Sequence, residues 1–351
     1  MRIHLLSGFL GSGKTTAIRQ ACATLLKDGI SVGVITNDQG IKLVDGYFFK
    51  NAGIPERQVG NGCFCCNYND LDKSIGELVD EHHPEVIFAE SVGTCTDIVA
   101  TVIKPLSRYR KIDGISLTTV VDARLLQMII SGKKVFDEEV EYIFFRQLEE
   151  AGIILINKID LATKDEISDI HKYLQARYPA KQLIFQSSIA TNDGNEWLTM
   201  ISRQPAQPSL SSIDVDYDFY ATGEAKMGYL DQQLLVISEK QTAVRDALQI
   251  IRSFVEKVKE AAMPVGHIKF WLDDRYKLSH TATTAPELPN VEEIASAANC
   301  TLIVNARVQT DAARLYAMMK NAIAGGGYTV QTINSSFFKP GYPRPTHRLQ
   351  D

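Results

Sequence analysis

The chain has 351 residues, enough for about two domains, and its 45% hydrophobic and 23% charged residues are those of a globular protein. A formal net charge of −5 argues against nucleic acid or an anionic membrane held by bulk charge. No apolar run approaches the ~18 residues of a membrane span, and the sequence enters its first strand without a signal or transit segment, so a cytoplasmic location is expected.

Ile3 to Ser7 reads as a strand and Thr15 to Leu26 as a helix with apolar residues at Ala17, Ile18, Ala21, Leu25 and Leu26. Between them lies Gly8-Phe9-Leu10-Gly11-Ser12-Gly13-Lys14-Thr15-Thr16, which fits the P-loop pattern G-x-x-x-x-G-K-[ST] at every specified position. Strand, glycine loop and helix aim backbone N–H groups and a helix N-terminus at phosphate. Lys14 is expected to reach the β/γ-phosphates and the Thr15 hydroxyl to ligate Mg²⁺.

Ser31 to Thr36 is a second strand, ending in the polar turn Asn37-Asp38-Gln39-Gly40. Asp38 is the natural first switch, reaching Mg²⁺ or the attacking water. Residues 41–62 are irregular and lead into Cys63-Phe64-Cys65-Cys66. A helix is expected over Leu71 to Glu81, then a strand over Val86 to Ala89 that delivers Glu90-Ser91-Val92-Gly93. A carboxylate at Glu90 can hold Mg²⁺ through a water, and the Gly93 amide can donate to a γ-phosphate and lose that partner on hydrolysis. A helix around Asp97 to Ile103 is expected to stop near Pro105.

A strand at Ser116 to Val121, helical segments to about Glu150 and a strand at Gly152 to Ile156 follow. That last strand ends in Asn157-Lys158-Ile159-Asp160, an N-K-x-D box. The Asp160 carboxylate can accept hydrogen bonds from N1–H and the 2-amino group of guanine; adenine offers neither and leaves the carboxylate unpaired. GTP is therefore expected over ATP, with Asn157, Lys158 and Asp160 at the base and the backbone at Ser187 beside it. A helix over Asp165 to Arg177 and a strand over Leu183 to Gln186 complete an α/β alternation, predicting a doubly wound, mostly parallel sheet with its motifs at strand ends. No Gln or Arg stands out as positioning the water, so slow intrinsic turnover is expected.

Composition predicts a nucleotide domain over 1–203, a Pro/Ser-rich linker over 204–213, a second domain over 214–338 and a poorly ordered tail over 339–351. In the second domain, strands at Gln233 to Ser238, Cys300 to Val308 and Thr329 to Ile333 and a strand or hairpin over Gly266 to Thr281 alternate with helices at Ala243 to Ala261 and Asp311 to Ala324, which suggests a ferredoxin-like α+β unit.

Of six cysteines, Cys63, Cys65 and Cys66 put three soft thiolate ligands in one turn, suited to Zn²⁺ or another thiophilic divalent ion. Three ligands leave a tetrahedral position for water, a fourth side chain or a partner. Buried free thiols, a vicinal Cys65–Cys66 bridge and a redox sensor are the alternatives. Cys22, Cys95 and Cys300 are scattered and read as small buried hydrophobes. The cluster lies in sequence between the two segments that would feel a γ-phosphate, which points to nucleotide-gated metal handling.

GFLGSGKTT, the Asn37–Gly40 turn, GCFCC, ESVG and NKID in that order resemble the CobW-type metal-chaperone GTPases, relatives of the urease and hydrogenase maturation GTPases. The resemblance implies that Gly8, Gly11, Ser12, Gly13, Lys14, Thr15 and Thr16 bind phosphates, that Glu90 acts at Mg²⁺ and that Asn157 and Asp160 read guanine. It implies that Cys63, Cys65 and Cys66 carry the transferred metal. The activity it implies is GTP hydrolysis to GDP coupled to delivery of zinc, cobalt or a related ion to a client metalloprotein, with pairing to a second copy of the chain as one arrangement open to it. Val92, Ile98, Gln39 and Asn67-Tyr68-Asn69 depart from the usual pattern, and no histidine-rich stretch singles out zinc over cobalt. A non-catalytic GTP-dependent switch and a P-loop kinase are the competing classes.

Overall fold

The computed structural model describes residues 1–37, 44, 49–50, 52–60, 62–190, 196–203, 210–290 and 296–351; the Asp38 turn, expected as the first switch, lies outside them. The chain divides into two units. Met1–Gln39, Phe49–Gly223 and Tyr342–Asp351 form the first, and Gly40–Phe48 with Glu224–Gly341 the second.

The first unit alternates strand and helix: β1 (Arg2–Ser7), α1 (Lys14–Lys27), β2 (Val32–Asn37), β3 (Glu56–Val59), α2 (Tyr68–His82) and β4 (Val86–Glu90). A π-helical turn (Val99–Ile103) runs into α3 (Lys104–Tyr109), followed by β5 (Gly114–Asp122), α4 (Ala123–Ile130), α5 (Glu138–Glu150) and β6 (Ile153–Asn157). Then come α6 (Lys164–Arg177), β7 (Gln182–Phe185) and α7 (Glu196–Arg203). The seven strands pair in the order β3-β2-β4-β1-β5-β6-β7, and every pair is parallel. Alternation along the buried strands sends successive side chains to opposite faces. Leu6 joins Ile18, Ala21 and Leu25 of α1, whereas Leu5 joins Leu71, Ile75 and Leu78 of α2. Both faces are covered, so β2, β4 and β6 carry continuous apolar runs, and β1 is buried from Ile3 to Ser7 with His4 among its apolar residues.

Three local expectations change. The irregular stretch contains β3, an edge strand whose Glu-Arg-Gln-Val sequence has no apolar alternation to betray it. Pro105 does not stop a helix but sits in the first turn of α3, where its missing N–H costs nothing. Residues 342–351, expected to be loosely held, lie extended on the first unit. Pro343 and Pro345 flank Arg344, and the free N–H groups between and beyond them point at acceptors. Arg344 N donates to Cys66 Sγ (3.2 Å), Thr346 N to Cys65 O (2.8 Å) and Leu349 N to Ala100 O (2.9 Å). Arg348 pairs with buried Asp97 (2.7 Å), and Asp351 pairs with Lys104.

In the second unit, β8 (Met227–Ile237), α9 (Ala243–Glu260), β9 (Val265–Leu272), β10 (Tyr276–Thr281), β11 (Asn299–Gln309), α10 (Ala312–Ile323) and β12 (Thr329–Phe338) build one antiparallel sheet of order β10-β9-β11-β8-β12. Removing the appended β10 leaves the βαββαβ connectivity of a ferredoxin-like unit. Its core gathers Ala247, Ile251, Phe254 and Val258 of α9 with Leu234, Ile268, Phe270 and Val304 of the sheet. Another short helix, α8 (Tyr217–Lys226), went unseen in the sequence because its apolar face is weakly marked.

Candidate nucleotide and thiol site

The P-loop closes because two of its residues have no Cβ. Gly8 sits at φ +130°, and a Cβ there would lie 2.1 Å from the Val120 carbonyl oxygen. Gly13 sits at φ +99°, and a Cβ would meet Asn157 Nδ2 at 2.3 Å. The loop therefore wraps against the ends of β5 and β6 and opens α1 with its N–H groups outward. Gly11 and Thr16 are half-buried in it. Lys14 is buried and donates to Gly8 O (2.8 Å), holding its ammonium over the loop. Ser12 Oγ is buried with no hydrogen-bond partner among the described residues, a donor available to a phosphate oxygen.

Thr15 and Glu90, each expected at Mg²⁺, stand side by side. Thr15 Oγ1 donates to Glu90 Oε1 at 3.0 Å. Register in the parallel sheet sets this up, since Glu90 at the end of β4 pairs with Leu6 and with Thr36. Adjacent hydroxyl and carboxylate oxygens are the hard donors Mg²⁺ takes, so this pair fits that ion.

Asn157 joins the two halves of the nucleotide site. Its Nδ2 donates to Ser12 O (2.9 Å), and its Oδ1 accepts from Ser188 N (2.9 Å). The P-loop and the loop after β7 thus hang on one amide. Lys158 is at φ 60° with its ammonium on Asp122 (2.7 Å), which braces the turn. Asp160 stands exposed in the 3-10 turn Ile159–Leu161, with its carboxylate open to a ligand, and Ser187 Oγ nearby in sequence to Ser188 is buried without a partner among the described residues.

The thiols converge. Ligand atoms of Cys63, Cys65 and Cys66 all lie within 4.8 Å of one another, with Cys65 Sγ 3.8 Å from Cys66 Sγ. A tight turn makes this possible: Cys66 N and Asn67 N both donate to Cys63 O (3.1 and 2.9 Å) before α2 begins. Asn37, the last residue of β2, fastens the turn. Its Nδ2 donates to Val59 O (2.8 Å) and Gly62 O (2.7 Å), and its Oδ1 accepts from Phe64 N (2.9 Å). The sequence marked Asn37 only as part of a switch turn; no local signal announces that its amide spans 27 positions to the cysteine turn.

The loop after Gly93 is equally tied. Gln147 of α5 donates from Nε2 to Gly93 O (3.0 Å) and to Cys95 O (2.9 Å), and Gly93 is buried. Gln147 was missed because it is an unremarkable glutamine on an amphipathic helix. Farther along the loop, Asp97 accepts at Oδ2 from Tyr217 Oη (2.6 Å) and Arg348 Nε (2.7 Å).

Packed against one another and away from water, the thiols favour their protons. The Cys63 thiol beside it, together with burial, pushes the Cys66 thiol up to about 11. The thiols of Cys63, Cys66 and Cys95, and burial, hold Cys65 well above the ordinary thiol range. A bound divalent cation reverses that balance. No helix among the described residues is long and apolar enough to cross a membrane.

Residues 2–185 match the family described as CobW/HypB/UreG, nucleotide-binding domain. The chain is similar to the zinc-regulated GTPase metalloprotein activator 1 of Dictyostelium discoideum, 27% identical over 216 residues that cover 52% of this chain and 45% of that protein. It is similar to the zinc chaperone CobW of Sinorhizobium sp, 30% identical over 196 residues covering 47% and 54% of the two chains. The zinc chaperone YeiR of Escherichia coli (strain K12) is 30% identical over 192 residues, covering 52% and 54%. The chain thus spans about half the length of these relatives. With a P-loop, an N-K-x-D turn and a thiol turn on one parallel sheet, and more than half of its length matched, this chain belongs to the CobW/HypB/UreG nucleotide-binding family.

Proposed function

We propose that this chain binds GTP and Mg²⁺, hydrolyses GTP slowly to GDP, and couples that reaction to handing a thiophilic divalent ion to a client metalloprotein. Gly8, Gly11, Ser12, Gly13, Lys14, Thr15 and Thr16 cradle the phosphates, with Gly93 at the γ-phosphate. Asn157, Lys158, Asp160 and the Ser187 turn hold guanine. Thr15 and Glu90 would hold Mg²⁺, which supplies charge neutralisation on the β- and γ-oxygens when bound. Asp38, outside the described residues, is proposed as the first switch. The protein's own contribution is to hold the phosphates in place and to fix the base.

Cys63, Cys65 and Cys66 take the cargo. Zinc is the preferred ion, since similar proteins are named as zinc chaperones, with cobalt the alternative the same thiols accept. The observation that carries this reading is Asn37: one amide fastens the cysteine turn to the last residue of β2, next in sequence to Asp38. A change at the γ-phosphate is thereby mechanically linked to the thiols.

The test is a chelator competition for Zn²⁺ and Co²⁺ on the full chain with GDP or a non-hydrolysable GTP analogue. The expected result is a nucleotide-dependent affinity that Cys65→Ala abolishes. Equal affinities in both nucleotide states would overturn the coupling.

A further inference from the structure

We propose that Cys95 is a fourth thiol ligand of the transferred metal, so that the site is shared between the cysteine turn and the loop that follows Gly93. This rests on the metal-handling reading above and adds to it a ligand outside the three-cysteine motif.

Cys95 Sγ lies 3.9 Å from Cys65 Sγ. Cys65 Sγ lies 3.8 Å from Cys66 Sγ, and Cys63 is within 4.8 Å of both. A tetrahedral zinc site with Zn–S bonds of about 2.3 Å has sulfur–sulfur edges of about 3.8 Å. Two edges of the cluster already have that length. Cys95 is fully buried, with its Sγ 3.9 Å from Cys65 Sγ and 3.9 Å from the Thr96 carbonyl oxygen. Two buried thiols in simple contact also reach this distance; what sets Cys95 apart is that it touches the Cys65 ligand from just outside the group of three whose atoms lie within 4.8 Å of one another, so that a movement of its loop closes the fourth position.

Placement gives the fourth thiol a purpose. Cys95 stands two residues beyond Gly93, and its own N–H donates to Val92 O (3.0 Å). Gln147 Nε2 holds the Gly93 and Cys95 carbonyls together. A shift of Gly93 with the γ-phosphate therefore carries Cys95 with it, while Cys63, Cys65 and Cys66 stay on their turn under Asn37. With Cys95 engaged, the shell is closed. With Cys95 withdrawn, its thiolate leaves the ion and takes a proton from solvent, and a client ligand fills the vacated position.

The experiment is X-ray absorption on the Zn²⁺-loaded full chain, with and without Cys95→Ser, alongside chelator competition. Four sulfurs near 2.3 Å are expected in the unsubstituted chain. Cys95→Ser is expected to show three sulfurs and one lighter neighbour, with affinity lower by about 10- to 100-fold, the range that even outer-shell changes reach. The unsubstituted chain decides the matter without any variant having to fold. Three sulfurs there, with an unchanged Cys95→Ser affinity, would overturn the fourth ligand and leave the three-cysteine reading standing. No zinc binding at all, or binding indifferent to Cys65→Ala, would overturn both.

Discussion

The nucleotide end and the thiol end of the first unit are built in different ways. The nucleotide end is a cradle made largely by omission: at Gly8 and Gly13 a single added carbon would collide with Val120 and Asn157. The thiol end is made by attachment. One tight turn is held by Asn37 from β2, by the loop after Gly93 and by the 342–351 segment, none of them near it in sequence. A cradle made by omission has no slack where its neighbours approach. A cluster made by attachments can be loosened at any one of them, which suits a site that must give up its cargo.

That contrast is broken or sharpened by substitution. The largest effect is expected from Gly8→Ala, which places a methyl 2.1 Å from a backbone oxygen at a positive φ. Urea denaturation should show a loss of about 4 kcal/mol or more, with nucleotide binding lost as well. A mild effect would mean that the cradle yields. Asn37→Ala comes next, because it strands the Val59 and Gly62 carbonyls and the Phe64 N–H. About 2–3 kcal/mol should be lost, and Zn²⁺ affinity should fall more than GTP affinity. A reversed ranking would refute the assignment of Asn37 to the thiol end.

Arg348→Ala leaves the Asp97 carboxylate, 1% exposed, with Tyr217 as its remaining hydrogen-bond donor. A cost of about 2 kcal/mol is expected, less than for a fully enclosed pair because the Arg348 side chain is 27% exposed. Cys66 should then react faster with a thiol reagent as the segment lifts.

The smallest effect is in pH dependence. Burial, then the Asp97 charge, push the Glu150 carboxyl from 4.5 up to about 8. The folded chain keeps a proton there that the unfolded chain has released, so folding takes up a proton between those values. Stability from this group is greatest below about 4.5, falls as pH rises toward about 8 and is level beyond. Facing Glu150 are Asp97, whose charge is shared with Arg348 and Tyr217, and Lys181, whose ammonium feels the Glu150 charge. Glu150→Gln should narrow the difference between melting temperatures at pH 5 and pH 8; an unchanged slope would assign the titration elsewhere.

How much of this the sequence carries follows from the same contrast. Gly8 to Thr16 is legible because nine consecutive residues and their flanking elements specify it. Asp160 is legible as part of a box that ends a strand. The Thr15–Glu90 bond could be anticipated from strand-end placement, though its length could not. Cys95 reads as a filler because a cysteine 30 positions from the motif carries no spacing signal; its place two residues after Gly93 is the clue available. The 342–351 segment looks unstructured because two prolines, Pro343 and Pro345, abolish periodicity, yet proline also fixes an extended backbone whose remaining N–H groups need partners elsewhere. β3 is hidden by its polar residues, which an edge strand tolerates.

The bonds from Arg344 and Thr346 to Cys66 span 278 and 280 positions, with the whole second sheet inside the ring they close. Closing such a ring costs somewhat more entropy than the 145-position bond between Ser12 and Asn157 that ties down the P-loop, and contacts of that separation form slowly. During refolding the phosphate cradle should therefore be complete while the thiols are still uncovered. A pulse of alkylating reagent at successive refolding times should find Cys66 reactive after nucleotide binding has returned. In kinetic terms the segment is a latch set after the lock is built, and until it closes Cys66 Sγ lacks the Arg344 N–H that later points at it.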